Sequence, residues 1–446
     1  MRNSIDIRIS TSILRLFLLL TLILLTSCNY FYMYVRHVKL SITNNMSPSL
    51  AGTQILHPEK SFTVYGEVKM LRREAYPLAV VAISDLYGKP EIVGKSFLFG
   101  GGYFSLYLPE GNYSLIVLSD LNADSLFKEN ECIGFYRESQ LFSVNESQAQ
   151  AGIIGGVKIY TEPNKPFTLK YTCSIPYPLS LHTTETDTMP SGSLRALDDT
   201  LFSNSIAQMG IYDPAAFLSQ SGIYFYTLDQ NRKHKEPVIF VHGYGGSPRE
   251  FMNIVKSIDS TKYTCWFFYY PSGQSLEKTA SIFYELFFSG KIINIRQKNT
   301  VIIAHSMGGL VVRRALNMYS NSDRRKIPIT YISLCTPYGG NDEASKGIKN
   351  APVSVASWYD IASTSNFITN LTRDKLHKNI RFYLLFGYKR ESGSGSESSD
   401  GTIVLRSQLY YPAQQSAESV CGFNETHESI LYSNDVTIKL RELMEQ

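Results

Sequence analysis

Three rhythms of hydrophobic and polar positions follow one another along the chain. Leu16 to Leu25 is an apolar run broken only by Thr21, with Arg2, Arg8 and Arg15 ahead of it. A helix needs on the order of twenty apolar residues to cross a bilayer, so this shorter core reads as a secretory signal rather than a membrane span. From about Ser61 to Thr172 the pattern changes to short alternating runs separated by Gly, Pro and Asn turns, the signature of an all-β region. Strands are expected at Phe62–Val68, Leu78–Ile83, Gly102–Gly111 and Asn112–Leu118. From about residue 237 onward, short β-branched runs alternate with longer amphipathic stretches, which predicts a mostly parallel sheet with crossover helices. Strands are expected near 237–242, 264–270, 300–305, 329–335, 380–387 and 417–422, and helices near 248–258, 275–289, 308–319 and 434–445.

The third rhythm carries the chemistry. Val301–Ile303 runs into Ala304-His305-Ser306-Met307-Gly308-Gly309 and then into an apolar helix-like stretch, the sequence form of a strained strand-to-helix turn that lifts a serine hydroxyl above a sheet. Such a turn demands small residues two before and two after the serine, and Ala304 and Gly308 supply them. Upstream, the strand Pro237–Val241 empties into His242-Gly243-Tyr244-Gly245-Gly246. An acyl-transfer intermediate needs two N–H groups facing its oxyanion, one from the residue after the nucleophile and one from such an earlier loop; Met307 and Tyr244 are the expected donors, through their main-chain amides. A serine also needs a base, and the base an acid. Of the histidines after Ser306, His377 precedes an apolar strand and leaves no acid-bearing loop ahead of it, so His427 is assigned as general base. The acid is expected just past the strand ending near Phe386, where Asp400 stands in an Asp-Gly turn; Glu391 and Glu397 compete from the preceding Gly/Ser/Glu run, and Asp360 from within an insertion.

Residues from about 235 to 440 resemble an α/β-hydrolase of the lipase and esterase kind. The resemblance rests on His242–Gly246, Ala304–Gly309, Thr336-Pro337-Tyr338-Gly339-Gly340, Asp400-Gly401-Thr402 and His427, in that order. It implies a serine enzyme acting on an acyl ester or lipid substrate without metal or organic cofactor, and it carries Ser306, Asp400 and His427 over as the catalytic triad. Ala304 departs conservatively from the usual glycine. The insertion at about 341–376, with Val353, Val355, Trp358, Tyr359, Ile361, Phe367 and Ile368 as its apolar members, reads either as a lid over an acyl cleft or as a small packed cap. Trp266–Tyr270 reads as a buried strand and its exit rather than a lipid platform.

The amino terminus adds an address. Leu25-Thr26-Ser27-Cys28 resembles a bacterial lipobox, which implies cleavage before Cys28 and lipid attachment to it, tethering the mature chain to a membrane; Asn29 favours an outer-membrane or cell-surface destination. The formal charge is +4, and loss of three arginines and one aspartate with the signal leaves about +2, which gives no nucleic-acid footprint. Five cysteines remain beyond Cys28, so full disulfide pairing is excluded, although Cys132 could pair with Cys173. The all-β stretch resembles a carboxypeptidase-regulatory-like, prealbumin-type β-sandwich, which implies a spacer or binding module.

The expected organisation is therefore a lipoprotein signal at 1–27, a tether at 28–60, a β-sandwich at 61–175, a linker at 176–200 and an α/β-hydrolase domain at 201–446. The expected function is that of a membrane-tethered serine hydrolase of carboxylic esters. An acyltransferase or thioesterase with the same triad, and a non-catalytic binding or scaffold protein on a hydrolase fold, stay open.

Overall fold

The computed structural model describes residues 61–446, apart from 71–76, 85–89, 150–151, 164–165, 171, 177–192, 222–223, 229–234, 291–298, 324–325, 352–353 and 390–396. The signal segment, the tether with Cys28, most of the expected linker, Val353 and Glu391 lie outside the described residues. No helix among those described is long and apolar enough to cross a membrane.

The amino-terminal region is all β, as its alternation predicts. Its strands are β1 (Ser61–Met70), β2 (Pro77–Ser84), β3 (Glu91–Phe99), β4 (Gly102–Pro109), β5 (Gly111–Ser119), β6 (Leu126–Lys128), β7 (Cys132–Phe135), β8 (Phe142–Val144), β9 (Ile153–Thr161) and β10 (Ser174–Pro176). Hydrogen bonding runs unbroken in the order β3-β2-β5-β7-β9-β1-β4, with β8 added to β5. β3 and β4 stand at opposite ends of that order yet are joined by two residues, so the sheet is rolled. The alternate residues Val64, Val80, Leu106, Leu115 and Ile159 fill its interior, as period-two side-chain direction requires. On the outer face of β2 and β5, the β6–β10 pair covers Val81, Ile116 and Leu118 with Phe127 and Ile175. Cys132 and Cys173 share that cluster as free thiols, so the pair that the sequence allowed is not formed. Burial pushes the Cys132 thiol up to about 12 and that of Cys173 to about 11.

The second region is an α/β-hydrolase fold. Strands β11 (Ser193–Leu194), β12 (Phe225–Thr227), β13 (Glu236–Val241), β14 (Tyr263–Phe268), β15 (Thr300–His305), β16 (Ile329–Leu334), β17 (Ile380–Gly387) and β18 (Ser419–Phe423) form one sheet in the order β11-β12-β14-β13-β15-β16-β17-β18. Every pair is parallel except β12 with β14. Alternation along β13 sends Ile239 and Val241 against the helices Leu276–Phe287 and Met307–Asn321, and Val238 and Phe240 against Met252–Lys256 and Asn434–Met444. With both faces covered, the strands read as continuous apolar runs, which is why their positions show in the sequence. Trp266 to Tyr270 are buried, in β14 and its exit. The helices Asn204–Tyr212 and Pro214–Ser221 and strand β12 have no such periodic signal; their apolar residues meet aromatic neighbours from distant segments instead.

The insertion forms three short helices, Asp342–Asn350, Ala356–Ile361 and Asn366–Leu371. It is pinned to the body: Ser357 N–H donates to the Gly273 carbonyl at 3.1 Å and Leu276 N–H to the Asp360 carboxylate at 2.6 Å. Ile361, Ile368 and Leu371 enter the sheet core, while Tyr359 is exposed. Trp358 donates from Nε1 to the Tyr244 hydroxyl at 2.9 Å, joining this cap to the His-Gly loop.

The β region also packs onto the hydrolase rather than hanging from it. Tyr65 and Ile153 belong to the same buried cluster as Phe217, Tyr224 and Phe268. Ring centroids of Tyr65 and Tyr224 lie 6.1 Å apart, and those of Tyr103 and Phe225 6.3 Å. Shared burial of this kind couples the two regions in unfolding. Tyr224→Ala should therefore destabilise the chain by roughly 3 kcal/mol, within the cost of emptying a buried aromatic site, and urea unfolding followed by circular dichroism and tryptophan fluorescence should remain a single coincident transition in the wild type. Two separated wild-type transitions would contradict the shared core.

Candidate active site

The local fold explains the exposed serine. β15 is buried throughout and the helix Met307–Asn321 starts at once after it, so the chain must reverse direction within one residue. Ser306 absorbs that reversal with φ 52 and ψ −127, in a backbone region that costs a non-glycine residue about 1–3 kcal/mol. Fixed neighbours hold it there: Ser306 N–H donates to the Leu334 carbonyl at 2.8 Å, and Gly309 N–H donates to the Ser306 carbonyl at 3.0 Å. A methyl group at Gly308 would lie 2.5 Å from the carbonyl oxygens of both Val241 and His242. The small residue two places after the serine is therefore required by backbone, not by a movable side chain.

Two distant loops converge on this hydroxyl. His427 follows β18, and Asp400 sits in the turn beyond β17 with no exposed surface. His427 Nδ1 donates to Asp400 Oδ2 at 2.7 Å, and His427 Nε2 lies 2.9 Å from Ser306 Oγ. An ionised carboxylate only accepts. The ring proton therefore belongs on Nδ1, which leaves the Nε2 lone pair facing the hydroxyl. The loops are also tied through their backbones, His427 N–H donating to the Asp400 carbonyl at 2.8 Å. Burial works to raise the Asp400 carboxyl, but the His427 hydrogen bond and charge, together with the N–H groups of Ile403 and Thr402, outweigh it and hold Asp400 below its ordinary value. The competing acids are elsewhere: Glu397 pairs with Arg406 at 3.0 Å, and Asp360 caps a helix.

The expected oxyanion donors flank the serine. Met307 opens the helix, where the first N–H groups lack intrahelical partners. Tyr244 follows Gly243, at which a methyl group would lie 2.9 Å from Ser306 Cβ. The loop is set by His242, whose Nδ1 donates to the Gly243 carbonyl at 2.8 Å while its Nε2 accepts from Tyr270 N–H at 3.2 Å. That acceptor role requires a neutral ring, in line with burial, which pulls its pKa below the ordinary histidine value.

Two further residues at the site carry no sequence assignment. His305 Nδ1 lies 3.1 Å from Glu250 Oε1 and His305 Nε2 2.9 Å from the His427 carbonyl oxygen. Their only signal is proximity to the two glycine motifs, which single-sequence spacing does not interpret. For metals, the one group of candidate ligands among the described residues is Cys335, Asp400 and His427, with atoms within 4.8 Å. The carboxylate and ring are committed to each other, and burial holds the Cys335 thiol protonated, well above its ordinary value.

Part of this region has known counterparts. Residues 231–379 match the family described as "Putative serine esterase (DUF676)". No curated protein matches the chain. Among solved structures, the mature lipase BlEst2 of Bacillus licheniformis is similar at 17% identity, over 50% of this chain and 98% of that one, with a TM-score of 0.38. Phospholipase PlaB of Legionella pneumophila, in complex with thio-NAD, is similar at 18% identity, over 39% of this chain and 44% of that one, with a TM-score of 0.33. Aspergillus fumigatus lipase B is similar at 16% identity, over 46% and 51%, with a TM-score of 0.32.

Asp400 links the site to stability. Its folded pKa is depressed, so the stabilisation it gives is complete above the ordinary carboxylate value and is lost as pH falls through the folded value. The difference in Tm between wild type and Asp400→Asn should be largest near neutrality and shrink progressively in acid, as read by calorimetry across pH. A difference that stays constant into acid would contradict the buried carboxylate–imidazole pairing.

Proposed function

We propose that the chain is a serine hydrolase that cleaves carboxylic esters through an acyl-enzyme on Ser306, and that a lipid on Cys28 tethers it to a membrane. The observation that carries the first part is the continuous hydrogen-bond relay from Asp400 through His427 to a serine held in a strained turn. The match of residues 231–379 to a serine-esterase family supports it.

The chemistry follows from the geometry. As Ser306 Oγ attacks the acyl carbon, His427 Nε2 takes its proton, and the imidazolium so formed is stabilised by Asp400. The carbonyl oxygen becomes an oxyanion facing the Met307 and Tyr244 amides. Collapse expels the alcohol, which receives the proton from His427. Water then attacks the acyl-enzyme with His427 again as base, releasing the carboxylic acid and restoring Ser306. No cofactor enters these steps. The cap helix bearing Trp358 is hydrogen-bonded to the His-Gly loop through Tyr244, which supports its forming one wall of the acyl site.

Ser306→Ala or His427→Ala should lower kcat on p-nitrophenyl esters by at least about a thousandfold, because the relay acts as a unit. A fluorophosphonate probe should label the folded wild type and not Ser306→Ala. Labelling that persists in Ser306→Ala would place the nucleophile elsewhere.

The tether rests on the short apolar core ending at Cys28. In a bacterial host, labelled palmitate should enter the wild-type chain and partition it with membranes at the outer membrane or cell surface. Cys28→Ala should abolish the label and release the chain; unchanged incorporation would overturn this part alone.

A further inference from the structure

Two buried histidines flank Ser306, and their partners demand opposite protonation states. His242 accepts a backbone N–H and must be neutral. His305 instead faces an acceptor at each nitrogen: the Glu250 carboxylate on Nδ1 and the His427 carbonyl on Nε2. A carbonyl never donates and an ionised carboxylate never donates, so both ring nitrogens must carry protons to make both bonds. His305 is only 5% exposed, and a buried imidazolium needs a counter-charge close by. Glu250 provides it, from the short helix Pro248–Phe251 that follows the His-Gly loop.

We infer that His305 is a positioning residue: held as an imidazolium against Glu250, it fixes the backbone of the base His427 through Nε2–H, and its deprotonation sets the alkaline limit of activity. The kinetic side rests on the serine-hydrolase reading above, whereas the protonation state rests on geometry alone.

The arrangement joins the three segments that make up the site. His305 is the last residue of the nucleophile strand; Glu250 Oε2 lies where a methyl group on Gly246 would sit, 2.1 Å away; and the His427 carbonyl belongs to the loop carrying the base. His427 is thereby gripped on both sides of its backbone, its N–H by the Asp400 carbonyl and its C=O by His305. The two rings stand 4.8 Å apart. A lone cation at that distance would oppose formation of the catalytic imidazolium, and the Glu250 carboxylate offsets it. The charged and titratable groups facing His305 are Glu250, His427, Asp400 and, across the serine, His242. Burial works to lower the pKa of His305; the Glu250 hydrogen bond and charge, the His427 carbonyl and Asp400 outweigh it, and the net direction is upward. A raised histidine gives its stabilisation in full below its ordinary value and loses it as pH rises through the folded value. The neutral ring retains one proton and one of the two bonds, so the grip on His427 loosens from the alkaline side.

The test uses the full chain with 15N-labelled histidine. Near pH 7.5 the His305 ring, assigned with His305→Gln, should show both nitrogens protonated, and Glu250→Gln, which keeps the shape and removes the charge, should convert it to the singly protonated form. In parallel, kcat/KM on a soluble ester at about pH 9 relative to about pH 6.5 should fall about tenfold further in Glu250→Gln than in wild type, while Glu250→Asp restores the wild-type alkaline limb. A merely structural role would depress the whole profile without moving that limb. A singly protonated His305 in the wild type would put the proton on Glu250 and overturn the inference, as would an alkaline limb identical in wild type and Glu250→Gln. Because the wild-type nitrogen signals are read without activity, absence of ester hydrolysis would defeat the enzyme reading while this assignment is still decided. They also decide it if Glu250→Gln does not fold.

Discussion

The site depends on one buried carboxylate. Asp400 has no exposed surface and accepts from two backbone N–H groups and one imidazole. An ionised group in that position is tolerable only while those donors are in place, so the turn after β17, the loop after β18 and the ring of His427 must arrive together. Once they do, the tautomer of His427 is no longer free. Its remaining lone pair points to Ser306, which the strand-helix corner has already fixed. Organisation of the relay is thus a consequence of satisfying one charge.

The surrounding fold supplies the rigidity that this needs. The backbone at Ser306 is strained, and it is held by a hydrogen bond to β16, by one from Gly309 of the following helix and by the close approach of that helix to the end of β13 at Gly308. Both faces of the sheet are packed with apolar side chains, and dense packing resists the small displacements that would relax such strain. The rolled β region contributes to the same cluster through Tyr65 and Ile153, and the cap through Ile361 and Ile368. Neither is a loosely appended piece of chain. Trp358 and Tyr244 join the cap to the His-Gly loop.

How much of this was legible in the sequence varies with the physics. The six core strands and four principal helices of the hydrolase appear within a few residues of their expected positions, because a sheet covered on both faces concentrates apolar residues in short runs. Ser306, Asp400 and His427 were readable because a strained turn, an acid turn and a terminal loop each require particular residue types in a fixed order, and the structure brings those three side chains together. The helices at 204–221, the strand β12 and most of the smaller β-strands were not readable, since their burial comes from partners far away in sequence. The open question of a Cys132–Cys173 pair resolves to two free thiols, both packed as apolar groups. His305 and Glu250 were missed for a different reason: each looks ordinary alone, and their meaning lies in two acceptors meeting one ring across 55 and 122 residues of sequence.

The most direct test of the central claim is to trap the covalent intermediate. Rapid mixing of the full chain with an activated p-nitrophenyl ester, followed by acid quench and peptide mass spectrometry, should give a burst of nitrophenol close to the enzyme concentration and an acyl group on the peptide carrying Ser306. Steady hydrolysis with no burst and no adduct, undiminished in Ser306→Ala, would show that the relay of Asp400, His427 and Ser306 does not do the chemistry ascribed to it.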